Sequence, residues 1–257
     1  MKPGFLGYIN ALLLREIHTR LGNNPLSLLW VVVEPIANVI VFLGIKIALG
    51  LGLVHGIHNA LYVIAGIVPF FAFSNAWAKV QTGPKSNVAL LAFPNIKTFH
   101  VIASRFLFEY IIMGLVTALL LSIAYMSGFT FSIHSLLGVF FNYTLLVLLG
   151  AGVGMVIAPL AGRFHFVETL SAATRRILFF TSGVFFSLDF LPYHIQEIMA
   201  LNPVGQLISL LRVSLFYNYI PNPLYLNEAL AVGFTALVLF IGLAMMKRYE
   251  RWAYETN

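Results

Sequence analysis

The sequence has 257 residues, of which 60% are hydrophobic and only 9% charged, and its mean hydropathy is +0.91. A soluble globular domain carries about 25% charged residues, so this composition excludes that class and indicates a polytopic membrane protein. The net charge of +6 reads as a topology signal rather than a nucleic-acid footprint, and the absence of cysteine removes disulfide and thiol chemistry.

Residues 1–24 contain Lys2 but no apolar run ending in a small-residue cleavage site, so no removable signal peptide is expected. Phe5, Leu6, Ile9, Leu12, Leu13 and Ile17 fall on one side of a helix, and Gly7, Ala11, Arg15 and His18 on the other. Glu16 and Arg20 interrupt the apolar stripe; spaced i,i+4 with the acid first, they can pair at its edge. The spacing predicts an interfacial helix lying on the membrane, with a frayed cytosolic tail as the alternative. This helix stops at Gly22-Asn23-Asn24-Pro25, and a first span follows over 26–50, long enough for a hydrocarbon core of about 30 Å. Trp30, Glu34, Pro35, Asn38 and Lys46 lie inside it. A charge at bilayer depth costs at least about 2.5 kcal/mol unless it faces a cavity or a partner, so these residues are expected to point inward.

The pattern Arg15-Glu16-x-x-Thr19-Arg20-x-Gly22, a short polar break, then Leu26-x-x-Leu29-Trp30-x-x-x-Glu34-Pro35 resembles the start of the type-2 ABC exporter permeases. It is most similar to the branch that exports capsular polysaccharide and O-antigen, the KpsM-type and Wzm-type inner-membrane proteins. The resemblance implies an all-α ABC-2 permease fold with about six transmembrane helices, an N-terminal interfacial helix, a cytoplasmic coupling helix and a periplasmic-side re-entrant helical hairpin. It also implies a homodimer whose two copies form a wide channel for a lipid-linked polysaccharide. A dimer of cytoplasmic ABC ATPase subunits of the KpsT type would hold ATP and Mg, and KpsE/KpsD-type proteins would continue the route through the periplasm and outer membrane.

A second span is expected over 60–79, kinkable at Pro69 and rich in rings at Phe70, Phe71, Phe73 and Trp77. In the loop before it, His55 and His58 have metal-like spacing, but no cysteine or carboxylate stands near them in sequence. In segment 84–98, Ser86 or Asn87 can cap a helix of about two turns that Pro94 ends. So short a helix is not stable alone, and Leu90, Leu91 and Phe93 are the side chains that would pack on a partner. The resemblance implies that this is the coupling helix, with Asn87, Leu90, Leu91, Phe93 and Pro94 meeting the ATPase; a helix lying on the membrane surface is the alternative.

The third span, 101–126, begins with Arg105 and Glu109 one turn apart and able to pair, and the fourth, 136–161, contains Gly150-Ala151-Gly152-Val153-Gly154, a face that another helix can approach closely. The fifth, 168–188, places Arg175 and Arg176 ahead of Phe179, Phe180, Phe185 and Phe186. Adjacent arginines point about 100° apart on a helix, so they cannot share one narrow task. Segment 190–218 is broken by Pro192 and Pro203 and reads as a hairpin of two short helices, the second starting at Asn202-Pro203; a last span covers 228–246.

Lys2, Arg15 and Arg20, then Lys79, Lys85, Lys97 and Arg105, then Arg163, Arg175 and Arg176, then Lys247, Arg248 and Arg251 fall at alternate ends of these spans, leaving Lys46 and Arg212 for the other side. This bias predicts a multi-pass chain with both termini in the cytoplasm. No G-x-x-x-x-G-K-[ST] phosphate loop occurs, so the chain is expected to be a transport subunit rather than an enzyme, with no cofactor or metal of its own and no nucleic-acid partner. A membrane transferase would cluster its acids, which here are scattered. An ion-coupled carrier could relay charge through Glu34, Glu109 and Lys46, but no internal repeat supports one. Sugar C–H faces lie against aromatic rings, and acidic sugars need cations. The candidate path is therefore Trp30, Glu34, Lys46, Trp77, Arg105, Glu109, Arg175, Arg176, Phe179 and Phe180, worked from the interfacial side by Arg15, Glu16, Arg20 and Gly22. A purely structural charge network is the competing reading of these charges. O-antigen, teichoic acid, a lipid or a drug remain alternative cargoes.

Overall fold

The computed structural model describes residues 5–21, 26–50, 53–91, 93 and 95–255, and the side chains of all of these except 6, 20–21, 26–29, 31–32 and 249–255. Among the described residues all regular secondary structure is helical, apart from one isolated antiparallel bridge between Val54 and Ile57. Ten α-helices follow in order: α1 (Phe5–Leu21), α2 (Leu26–Ala48), α3 (Asn59–Thr82), α4 (Val88–Leu91), α5 (Thr98–Met126), α6 (Leu136–Arg163), α7 (Phe166–Thr181), α8 (Tyr193–Ala200), α9 (Pro203–Leu215) and α10 (Glu228–Glu255). The all-α polytopic expectation is borne out. Four stretches among the described residues are long and apolar enough to cross a membrane: α3, α5, α6 and Pro223–Arg248. Helices α8 and α9 meet at 91°, the geometry of a broken span or a re-entrant loop. Asn202 caps α9 by accepting from Val204 N at 3.0 Å, and Pro203 opens the helix.

Helix α3 is the axis of the bundle. Val63, Ala65, Ile67, Val68, Ala72, Ala76 and Val80 are fully buried, and a helix apolar on all sides is one enclosed by others. Around it pack α2, α5, α6 and α9. The glycine run of α6 divides its service between two neighbours. A Cβ at Gly150 would overlap Phe73 O and one at Gly154 would come within 2.6 Å of Trp77 O, so these two seat α6 directly on the α3 backbone. Gly152 faces the other way, onto Val238 and Leu239 of α10. Small residues at such spacing let helix backbones close on each other where lipid supplies no hydrophobic drive.

Helix α1 lies along the start of α5, with Phe5 stacked on Phe99 at 5.9 Å and Tyr8 on His100 at 5.4 Å. Ile9, Leu12 and Glu16 form its buried side, while Phe5 and Leu14 are exposed. The break at Gly22–Pro25, the side chain of Arg20, and Pro94 lie outside the described residues. Two segments differ from expectation. The segment 168–188 is helical only as far as Thr181, about 24 Å of helix: Ser182 Oγ donates back to Leu178 O at 2.6 Å, and Gly183 turns the chain at φ +61°. In segment 84–98, one 3-10 turn, Lys85–Asn87, leads directly into the single turn of α4.

Candidate substrate path and coupling site

At the end of the bundle bearing α1, four elements converge on one guanidinium. Arg105, 8% exposed, donates from Nη1 to Lys79 O at 2.7 Å and to Thr82 Oγ1 at 3.2 Å, and from Nη2 to Ser86 Oγ at 2.8 Å. Its Nε stands 3.9 Å from Glu16 Oε1. The last carbonyls of α3 are the negative end of that helix, where a cation is favoured. One side chain of α5 thus closes the end of α3, holds the 85–87 turn and faces α1. A second tie runs beside it: Arg15 Nη2 donates to Asn87 Oδ1, and Asn87 Nδ2 donates to Gly83 O at 2.9 Å. Outside this knot Lys85 pairs with Glu168 of α7 at 2.9 Å. Leu90 and Leu91 are half-buried, whereas Val88 and Phe93 are 67% and 60% exposed. The rigid turn therefore ends in bare apolar surface.

Through the interior runs a seam of rings. Phe179 of α7 is its hub, 5.3 Å from Phe42 of α2, 5.2 Å from Phe70 and 6.3 Å from Phe71 of α3, and 5.8 Å from Phe185 in the turn after α7. Phe180 and Phe186 extend the seam through Phe185. On the other side Phe70 meets Phe73, and Phe73 meets Trp77 edge-on at 5.8 Å. The two arginines of α7 part as helical geometry requires. Arg175 is half-buried, lies 5.5 Å over the Trp77 ring and donates to Ser171 Oγ at 2.8 Å. Ser171 Oγ and Trp77 Nε1 both donate to Gln81 Oε1, at 2.5 and 3.1 Å. Arg176 is exposed.

The other sequence candidates are dispersed. Trp30 is 69% exposed, and Glu34 is exposed beside it on α2. Glu109 is buried one turn beyond Arg105. Lys46 is buried near the hairpin end, donating to Asn59 Oδ1 at 3.1 Å and lying 4.4 Å over the Tyr62 ring. Sequence reasoning placed Arg212 only as a charge on the same membrane side as Lys46; it lies 3.6 Å over the same Tyr62 ring, and the contact of His55 with Asp189 was not anticipated. His58 caps α3 through Ala60 N and lies tilted against Phe129 at 4.2 Å, so the two histidines serve different elements. Among the described residues no group of three metal-ligating side chains occurs.

Residues 8–216 match the ABC-2 type transporter family. The chain belongs to that family. The resemblance read from residues 15–35 is borne out. This ABC-2 transporter chain is 31% identical over 242 residues, 94% of its length and 93% of the relative's, to the polysialic acid transport protein KpsM of Escherichia coli. It is also similar to the capsule polysaccharide export inner-membrane proteins CtrC of Neisseria meningitidis serogroup B, 24% identical over 95% of this chain and 91% of the relative, and BexB of Haemophilus influenzae, 23% identical over the same shares. The ABC-2 assignment makes it a transport subunit rather than an enzyme.

Proposed function

We infer that this chain is the inner-membrane permease subunit of an ABC exporter that moves a capsular polysaccharide, driven by ATP hydrolysed on a separate subunit. The observation that carries the reading is the Arg105 knot, which joins α1, α3 and α5 to a short turn ending in exposed Val88 and Phe93. The chain has no phosphate loop of its own. A stiff lever with an apolar tip needs a partner to move it, and a pair of cytoplasmic ABC ATPase subunits is that partner. The substrate class is supported by the whole-length similarity to proteins named for polysialic acid and capsule polysaccharide transport. In the test, the purified permease and its ATPase in vesicles export labelled capsular polysaccharide when ATP is supplied. Val88→Asp with Phe93→Asp leaves the permease in the membrane but removes bound ATPase and export. Transport that follows a proton gradient without ATP would overturn the reading.

Two further features support a conduit made by two copies. Trp30, Glu34, Ala37, Val41, Ile45 and Ala48 form one continuous exposed stripe along α2, and Thr169, Ala173, Arg176 and Phe180 form another along α7. Glu34 and Arg176 are charges too costly to leave against lipid, so these stripes face the second copy and the wet path between the copies. The lipid-linked chain then leaves toward periplasmic and outer-membrane export proteins. Arg175, committed to Trp77 and Ser171, is structural, and Arg176 is the cation offered to an acidic glycan. Arg176→Lys keeps the charge but loses the planar fork, and export is expected to fall about five- to tenfold with protein level and ATPase assembly unchanged. Arg175→Lys is expected to alter folded-protein yield in step with any change in export. Normal export by Arg176→Lys would remove it from the path.

A further inference from the structure

Helices α5 and α6 are consecutive in the chain and touch at one level. There the Tyr143 hydroxyl donates to Tyr110 O at 3.0 Å, the two rings lie 5.1 Å apart, and a Cβ at Gly114 would rest against the Tyr143 ring at 3.6 Å. Beyond that contact the helices part, and a groove of about 790 Å³ opens between them. Leu115 and Ala118 of α5 and Val139 and Phe140 of α6 are its walls, and Leu211 and Leu215 of α9 are its floor. Phe131, in the loop between α5 and α6, closes the outer end, held edge-on to Tyr125 at 5.8 Å and to Phe216 at 5.4 Å. Both walls belong to helices long and apolar enough to cross a membrane, so the groove lies at bilayer depth. From Gly114 to Tyr125, α5 rises about 16 Å, close to one leaflet of a hydrocarbon core about 30 Å thick. Tyr125 is exposed at the outer end, where interfacial aromatic rings mark the level of the headgroups.

The lining decides what can fill this space. Among the described residues no charged side chain borders it. The polar side chains that do are turned to partners of their own: Thr117 Oγ1 donates to Met113 O and Ser122 Oγ to Ala118 O, each at 2.8 Å, and the Tyr110 hydroxyl shares a hydrogen bond with Thr144 Oγ1 at 3.0 Å. A polar solute or a water would give up its hydrogen bonds there and gain none. Uncharged hydrocarbon is the complement of such a lining. Averaged over its length the groove is narrower than a helix about 10–12 Å across, so a transmembrane helix does not enter it. None of its walls comes from α2 or α7, the helices whose stripes face the second copy. We propose that the groove is a binding site for an acyl chain of a phospholipid in the leaflet on the hairpin side, which packs between α5 and α6 where side chains leave a gap. Burial from water does not favour such a chain over its neighbours in the bilayer; dispersion contacts with three protein walls do. The site requires neither the transported substrate nor the second copy.

In the test, the permease bound to its ATPase is placed in nanodiscs of phosphatidylethanolamine and phosphatidylglycerol. These contain a trace of phosphatidylethanolamine with a mid-chain diazirine. The sample is irradiated either there or after transfer to detergent, and adduct positions are read by mass spectrometry of its peptides. In nanodiscs, adducts are expected on every lipid-facing surface, including the exposed Leu237 and Phe240 of α10. Detergent dilutes the surrounding lipid away while the groove keeps its chain. The ratio of adducts on Leu115 and Ala118 to those on α10 is therefore expected to rise about tenfold. Ala118→Trp fills the groove from an exposed position and is expected to abolish the rise. Ser122→Trp, one turn nearer the outer end, is expected to do the same and decides the matter should the first variant not fold. A ratio unchanged by detergent means ordinary surrounding lipid and overturns the site, as does a rise that survives the tryptophan. The chain has no cysteine, so Ser122→Cys tests the rival occupant: no disulfide-linked dimer is expected under oxidation in nanodiscs, and one that forms would put a second copy in the groove and overturn the proposal.

Discussion

Arg105→Ala is expected to cut export by about two orders of magnitude while the ATPase, still bound, continues to hydrolyse ATP. The guanidinium is nearly buried and serves Lys79 O, Thr82 Oγ1, Ser86 Oγ and Glu16 together. Its removal leaves the last turn of α3 without its cationic cap and Glu16 without this neighbour. A buried acceptor that loses its donor costs about 1–3 kcal/mol, more where charge is involved. That is enough to free the 85–87 turn from the bundle without unfolding a span held by the α3–α6 contact. The lever would then move with the ATPase and pull on nothing. Arg105→Lys is the informative control. One ammonium has three donors but no planar fork, so it can hold α3 or the turn but not both, and intermediate export is expected. The measurements are ATPase rate and export in the same vesicles, with pull-down to verify assembly. Export and ATPase rate falling together would mean that Arg105 supports binding rather than transmission. Normal export by Arg105→Ala would mean that the knot is not part of the lever.

How much of this could be read beforehand depended on whether the interaction leaves a local mark. The motif at 15–35 combines residue types in a fixed order, and it named the family. Gly150, Gly152 and Gly154 announced a close helix contact because only small residues allow one, although which neighbour each serves is decided by the 100° steps around α6. Asn202-Pro203 marked a helix start from two adjacent residues. Arg105 was recognised as a charge at membrane depth, but the obvious partner was Glu109 on its own helix; its contacts with Lys79, Thr82 and Ser86 depend on α3 and α5 lying antiparallel across the intervening turn. Arg175 and Arg176 are chemically identical neighbours, and only the packing of α7 on Trp77 tells them apart. The contact of His55 with Ser187 joins residues more than 130 positions apart, beyond any spacing rule. The fifth span was expected to run on to 188, past Phe185 and Phe186. Nothing in the composition of residues 182–187 reveals that their carbonyls are claimed from elsewhere.

Those carbonyls are the reason that Arg212→Met is expected to be among the most damaging substitutions to stability. Arg212 is 1% exposed. Its Nη1 donates to Gly183 O at 2.9 Å, and its Nη2 donates to Val184 O at 2.6 Å and to Tyr62 O at 3.1 Å. Tyr62 works on the same turn from α3, its hydroxyl donating to Gly183 O at 3.0 Å and Phe186 O at 3.1 Å. Where a helix would have satisfied residues 183–186 internally, two side chains from α3 and α9 do so instead. Unsatisfied polar groups cannot be left in a membrane-buried core, and Gly66 is required so that the turn can approach: a Cβ there would overlap Val184 O and the guanidinium itself. Methionine matches the length of arginine but donates nothing, so the Val184 and Tyr62 carbonyls lose their side-chain donor and Gly183 O keeps only the Tyr62 hydroxyl. Tyr62 O lies inside α3 and keeps its helical donor, so at about 1–3 kcal/mol for the Val184 acceptor left without a donor, and with the cation–π contact adding about 2 kcal/mol when desolvated, the loss is on the order of 3–5 kcal/mol. Thermal unfolding of the purified permease should show it directly, and a double-mutant cycle with Tyr62→Phe should show strong coupling because both side chains share Gly183 O. Arg212→Lys is expected to recover only part of the loss, since one ammonium cannot reach all three carbonyls in the geometry of the fork. A Met variant that unfolds at the wild-type temperature would mean that the turn finds other donors, and the shortening of α7 would then need a different cause.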